Sequence, residues 1–203
     1  MTPTMTNTLY ALVRKGFTVH HAATLAEAKS IVLRLIPEGA SVGFGGSVTI
    51  REMGLYDDLK ADGHPVYWHW MNDVPKPDVF QRAASSDVYL MSSNAVTEDG
   101  CLINIDGTGN RVGALIAGPK QVILVVGANK LVRGGIPQGL ARVKTEACPQ
   151  NARRLGLDTP CALHDKCDAA NCTRSMCSVT SVIERPLGGH KLTIILVDEE
   201  AGY

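Results

Sequence analysis

The sequence lacks an excess of either charge, a long apolar run, and the closely spaced cysteine pairs that mark common zinc modules. Its twenty basic and twenty acidic residues are dispersed and cancel to a formal net charge of zero. Without a basic stripe there is no electrostatic footprint for nucleic acid or for an anionic membrane surface, so a small ligand or a protein partner is expected instead. The longest apolar runs, such as Val122 to Val126 and Leu192 to Val197, fall far short of the roughly 20 residues that span a bilayer. They are expected as buried strands. The stretch Met1 to Thr8 is polar and threonine-rich, without the basic start and apolar stretch of a secretion signal. That predicts a cytoplasmic protein whose six cysteines are reduced. Internal repeats and low-complexity segments are also missing.

What is present is an ordinary globular composition, 45% apolar and 20% charged, which excludes disorder and fibrous repeats. A length of 203 residues suits one α/β domain over 1–203, carrying a cysteine-rich segment at 161–177. Thr24 with Glu27 forms a capping-box signal ahead of a helix that buries Leu25, Ala28, Ile31, Val32 and Leu35. Ala40 to Phe44 is expected as a strand, followed by the turn Gly45-Gly46-Ser47 and a helix with Ile50, Met53, Leu55 and Leu59. Val66 to Trp70 alternates as a strand, and Asn72 to Pro77 reads as loop. A short helix with Phe80 and Ala83 leads to the strand Asp87 to Met91. Further on, the pattern predicts a strand or hairpin arm at Cys101 to Ile105, a short helix at Val112 to Ala117 and a central strand at Gln121 to Val126. A helix at Ile136 to Arg154, interrupted near Pro149, precedes final strands at Val179 to Glu184 and Leu192 to Asp198. Alternating strands and helices imply a mostly parallel, Rossmann-like sheet that gathers ligands at its carboxyl edge.

Three segments carry candidate chemistry. Gly43-Phe44-Gly45-Gly46-Ser47 ends a strand, where bare backbone N–H groups and the Ser47 hydroxyl could hold a phosphate or carboxylate. Equally, it is a tight turn with Ser47 as an N-cap. Thr97 to Arg111 is too polar and glycine-rich for ordinary core. It offers Glu98 as a base or nucleophile, with Asn104 and Arg111 to bind developing negative charge, or a hairpin with good turn chemistry. Cys161, Cys167, Cys172 and Cys177 are separated by five, four and four residues. Four thiolates in one polar segment can enclose a 4Fe-4S cluster or a zinc ion, with His164 as a substitute ligand, or remain reduced thiols or a disulfide. Cys101 suits a buried position, and Cys148 lies on a helix without a local partner. His20, His21, His64 and His190 are expected beside turns or element ends and solvated. Lys130, at a strand end, is placed to touch an anion, and Asp198-Glu199-Glu200 reads as an acidic solvated tail.

The run Ser86 to Gly100, continuing through Asn104, Asp106 to Val112, Gly118-Pro119-Lys120 and Gly127 to Val132, resembles the LUD (lactate utilization) domain. Gly43 to Ser47 and Val197 to Tyr203 resemble it too, so the likeness covers nearly the whole chain. The resemblance implies a fold like that of the NagB/RpiA/CoA-transferase group, with a site at the strand ends. The ligand-binding residues it implies are Gly43, Gly45, Gly46, Ser47, Ser93, Asn94, Asp106, Gly109, Asn110 and Lys130, around a small carboxylate or other anionic metabolite. It further implies a part in L-lactate oxidation beside other lactate-utilization subunits, in a complex that contains iron-sulfur proteins. A homo-oligomer is a separate expectation. This chain departs from ferredoxin-bearing relatives in having no C-x2-C-x2-C-x3-C-P segment. In CoA-transferases of the same fold group a glutamate beside a glycine attacks the acyl group, and Glu98 with Gly100 is similar. The alternatives are a transferase or isomerase acting through Glu98, or an assembly subunit with a structural metal.

Overall fold

The computed structural model describes residues 1–71 and 76–203. Of the expected loop Asn72 to Pro77, residues 72–75 lie outside the described residues, and residues 76–77 already open a helix. The chain starts with a helix that sequence periodicity did not disclose, α1 (Pro3–Arg14). Thr2 caps it by accepting the Met5 N–H at 3.2 Å, with Pro3 in the first turn where a missing N–H costs nothing. Then follow β1 (Thr18–Ala22), α2 (Leu25–Leu35), β2 (Val42–Phe44), α3 (Val48–Glu52), α4 (Leu55–Ala61), β3 (Val66–Trp68), α5 (Lys76–Ala84) and β4 (Val88–Met91). Thr24 accepts the Glu27 N–H, as its capping-box spacing predicts, while the Glu27 carboxylate reaches one residue further back than in a capping box, to the Ala23 N–H.

The second half holds β5 (Ala95–Thr97), β6 (Leu102–Asp106), α6 (Asn110–Ala117), β7 (Gln121–Gly127), β8 (Leu131–Val132), α7 (Ile136–Arg142), α8 (Cys148–Arg154), α9 (Pro160–His164), β9 (Val179–Ile183) and β10 (Lys191–Val197). A π-helical turn at Val143–Ala147 joins α7 to α8. Pro149 explains it, because proline has no N–H to offer the carbonyl four residues back, and the wider turn absorbs the mismatch.

Six strands form one wholly parallel sheet in the order β1-β10-β7-β4-β2-β3. Helices cover both faces, which is why β7 and β10 are continuously apolar rather than alternating. Ile123, Val125, Ile195 and Val197 pack with α2, α3 and α4 on one face; Val122, Leu124, Val126, Ile194 and Leu196 pack with α1 and α6 on the other. Each such side chain, fully buried, contributes about 1.5–3 kcal/mol. Phe44 and Trp68, stacked at 5.1 Å between ring centroids, fill the first layer.

A second sheet in the order β8-β5-β6-β9 is the main departure from a single parallel sheet. β6 pairs antiparallel with β5 and β9, so the polar segment beginning at Thr97 is the turn of a hairpin. One face of this sheet joins the α1 side through Val96 and Leu102, and the other packs Ala95, Ile103 and Ile105 against Val143, Ala147 and Cys148. Two surface expectations are corrected as well. His20 and His21 lie within edge strand β1, not beside a turn, and the residues after β10 dock back on the domain. There Asp198 meets His21 at 3.0 Å, Glu199 caps Leu25 N–H at 2.7 Å and Ala201 is buried.

Candidate functional site

Because all six strands of the main sheet run the same way, their carboxyl ends converge on one edge. There β2 delivers Gly46 and Ser47, β3 delivers His69 and Trp70, β4 delivers Ser92, Ser93 and Asn94, and β7 delivers Lys130. They line a cavity of about 480 Å³ whose far wall is Asp106 to Thr108 with Asn110 and Arg111 on one side and Cys148, Arg154 and Cys177 on the other. Among the described residues, Asp106 is the one carboxylate in its lining, against the cations Lys130, Arg111 and Arg154. The electrostatic balance therefore favours an anion.

Asp106 organises one wall. At 3% exposure, one of its carboxylate oxygens accepts the N–H groups of Arg111 and Val112, each at 2.9 Å, and so closes the amino end of α6. Its other oxygen takes Arg111 Nε at 2.7 Å. Arg111 Nη2 also contacts that oxygen and donates to Ile105 O at 2.7 Å and Asn94 Oδ1 at 3.3 Å. The guanidinium is held in one place by the hairpin it closes over. Asn94 and Asn104 complete that hairpin: Asn94 N–H donates to Asn104 Oδ1, and Ile105 N–H donates to Asn94 Oδ1. Asn104 is fully buried and structural in its contacts, with its Nδ2 unmatched.

Lys130 is the opposite case, a cation without an acid. It is 3% exposed and its Nζ donates to Thr49 Oγ1 at 2.6 Å and Ser92 Oγ at 2.9 Å. Among the described residues it forms no ion pair. Burial, reinforced by the Arg142 and Arg111 charges and only partly offset by Glu52, pulls its pKa down to about 7. Arg142, below the cavity, donates to the carbonyls of Asn94 and Asn129 and braces both strand ends.

The glycines divide by purpose. A β-carbon on Gly43 would stand 2.2 Å from Ala83 O, so that residue lets α5 pack on β2. Gly45 makes room for Arg111, and Gly46 for Trp70 and His69. Ser47 does cap α3, accepting the Ile50 N–H at 3.3 Å, while still lining the cavity. Ser93 Oγ donates to Ala95 O and Ile103 O, and Asn110 Nδ2 lies 3.4 Å from Tyr89 OH. Gly109, at φ +76°, is the turn that starts α6 and is outside the lining.

Glu98 does not join them. The hairpin leaves the cavity at Asn94 and re-enters it at Ile105, so its turn lies at the far end. There Glu98 Oε1 accepts Asn7 Nδ2 at 2.9 Å, and Gly100 packs on the backbone of Ala11 and Leu12 in α1. The cysteines diverge too. Cys161 is buried in α9 beside Thr159, Cys167 is exposed, Cys172 is partly exposed, and Cys177 turns to Cys148, sulfur to sulfur at 3.6 Å. Among the described residues no group of three or more such side chains is placed to hold a metal ion. The four-thiolate enclosure expected for 4Fe-4S or zinc is not assembled, and these residues do not fit it. The hydrogen bond shared by the two sulfurs raises the Cys148 pKa and lowers that of Cys177; the Lys144 ammonium adds to the latter shift.

Several residues in or behind the lining escaped sequence reasoning. Thr49 and Ser92 gave no signal, because their value lies in meeting Lys130. Arg154 and Asn151 are neighbours on α8, and Tyr203 and Trp70 join them only through tertiary contact: Arg154 Nε donates to Tyr203 OH at 2.7 Å and its guanidinium lies 4.6 Å from the Trp70 ring. Trp70 had been assigned to strand β3, which in fact ends at Trp68.

A sequence model of the LUD domain matches residues 5–197. No curated protein matches the chain. Among solved structures it is similar to a crystal structure of a DUF162 family protein from Deinococcus radiodurans, at 14% identity and a TM-score of 0.58, over 96% of each chain. At that identity the likeness speaks for the fold. No helix among the described residues is long and apolar enough to cross a membrane.

Proposed function

The chain belongs to the LUD domain family, which is associated with lactate utilisation, and from that premise we propose that it binds a short organic carboxylate in the carboxyl-edge cavity. The observation that carries this reading is Lys130, a buried cation whose partners among the described residues are two hydroxyls and no acid. A carboxylate in the cavity would supply the missing counter-charge, and charge-assisted hydrogen bonds of that kind are about twice as strong as neutral ones. Arg111, locked by Asp106, presents a second fixed positive charge on the facing wall. Ser47, whose Oγ accepts from Ile50 N–H, supplies a further hydroxyl for a 2-hydroxy or 2-oxo group.

Placement disfavours the reading in which Glu98 acts as an acyl-accepting nucleophile, because its carboxylate is engaged by Asn7 at the other end of the hairpin. Titration calorimetry with lactate, pyruvate and longer 2-hydroxy acids tests the proposal. Saturable heat for at least one of them, lost in Lys130→Met, is expected. No signal from any, in a folded wild-type protein, would remove it.

A further inference from the structure

We propose that Cys148 and Cys177 form a redox-active thiol pair on the wall of the cavity, interconverting between dithiol and disulfide by exchange with a low-molecular-weight disulfide. The pair unites residues 29 apart in the chain, with sulfurs 3.6 Å from each other, and both line the cavity. Nothing comparable exists at the other cysteines among the described residues. Cys101 is buried against α1, where Lys15 Nζ donates to it at 3.0 Å, and Cys161 meets Thr159.

The two partners are held differently. Cys148 is 5% exposed at the start of α8, fixed by the cluster of Val143 and Ala147. Cys177 is half-buried on the irregular segment between α9 and β9. That segment is tethered on both sides: Ser178 N–H donates to Asp106 O at 2.9 Å, and Asn151 Nδ2 contacts Met176 Sδ at 3.0 Å. Cys177 is thus the more accessible sulfur, and Cys148 the buried one waiting behind it. Closing the gap to the about 2.05 Å of a disulfide requires a shift of roughly 1.5 Å, within reach of side-chain rotation at Cys177.

The electron count is complete. The Cys177 thiolate attacks one sulfur of the small disulfide, whose S–S bond breaks and releases one thiolate. Cys148 then gives up its proton to solvent and attacks Cys177 in the mixed disulfide, releasing the second thiolate. Two protein thiols are oxidised and one small disulfide is reduced to two thiols. The new bond would staple the Asp106-linked segment to α8 beside the cavity.

Peptide mapping by mass spectrometry, on the full-length reduced protein incubated with oxidised glutathione, tests this. Wild type is expected to lose two hydrogens and yield one cross-linked peptide joining Cys148 to Cys177, reversed by dithiothreitol. Cys148→Ser is expected to stop at a stable glutathione adduct on Cys177, and Cys177→Ser to give neither product. Cross-links from Cys177 to Cys161, Cys167 or Cys172, a stable adduct on wild-type Cys177, no oxidation at all, or protection of Cys177 by tightly bound iron or zinc would each overturn it. Should either variant fail to fold, the wild-type map decides alone.

Discussion

Arg111 fills the space that a side chain on Gly45 would need: a β-carbon there would stand 2.8 Å from Arg111 Cγ and 3.3 Å from Cδ. The glycine loop and the arginine wall are therefore one construction, although 66 residues separate them in the sequence.

Gly45→Ala should displace the guanidinium without abolishing folding. Overpacking of this size costs about 1–3 kcal/mol. Carboxylate affinity should fall about tenfold, the equivalent of some 1.4 kcal/mol, as read by calorimetry.

Asp106→Asn removes the charge that holds Arg111 and weakens the acceptor for two N–H groups of α6. Breaking a buried, hydrogen-bonded pair on one side costs about 3 kcal/mol or more. Urea denaturation should show a lower midpoint with an unchanged slope, since the same surface is exposed on unfolding.

The depressed pKa of Lys130 fixes a pH dependence. Its folded value is about 7 and its ordinary value 10.5. Between these the unfolded chain holds a proton that the folded protein releases, so this residue's contribution makes stability rise with pH across the window and level off above it. Below about pH 7 both states are protonated and its cost is full. The wild-type stability curve minus that of Lys130→Met should show this slope. For binding the sign reverses, because the anion pairs with the ammonium. Affinity should fall as pH rises above about 7, and binding near pH 8 should take up protons, measured as a dependence of calorimetric heat on buffer ionisation.

Glu98→Gln should leave carboxylate binding within about twofold of wild type, because such a difference is only about 0.4 kcal/mol and the residue touches α1 instead of the cavity. The same calorimetric titration checks it.

How far the sequence disclosed this arrangement depended on the range of the interactions. The Thr24 cap, the turn at Gly45 to Ser47 and the apolar β7 and β10 are local or periodic signals, and each was legible. Lys130 was legible as a strand-end cation, but its partners Thr49 and Ser92 were not, since a hydroxyl carries no pattern. Glu98 misled because motif spacing records proximity in the chain, whereas β5 carries the turn away from the site before β6 returns with Asp106. Cys177 misled for the converse reason: its nearest sulfur comes from a helix outside the cysteine-rich segment.

The central claim is most directly tested by a crystal structure of the protein saturated with lactate or pyruvate. A carboxylate within hydrogen-bonding distance of Lys130 Nζ, on the side facing Arg111, is the predicted result. A cavity holding only water at saturating ligand, or the carboxylate bound elsewhere on the molecule, would contradict it.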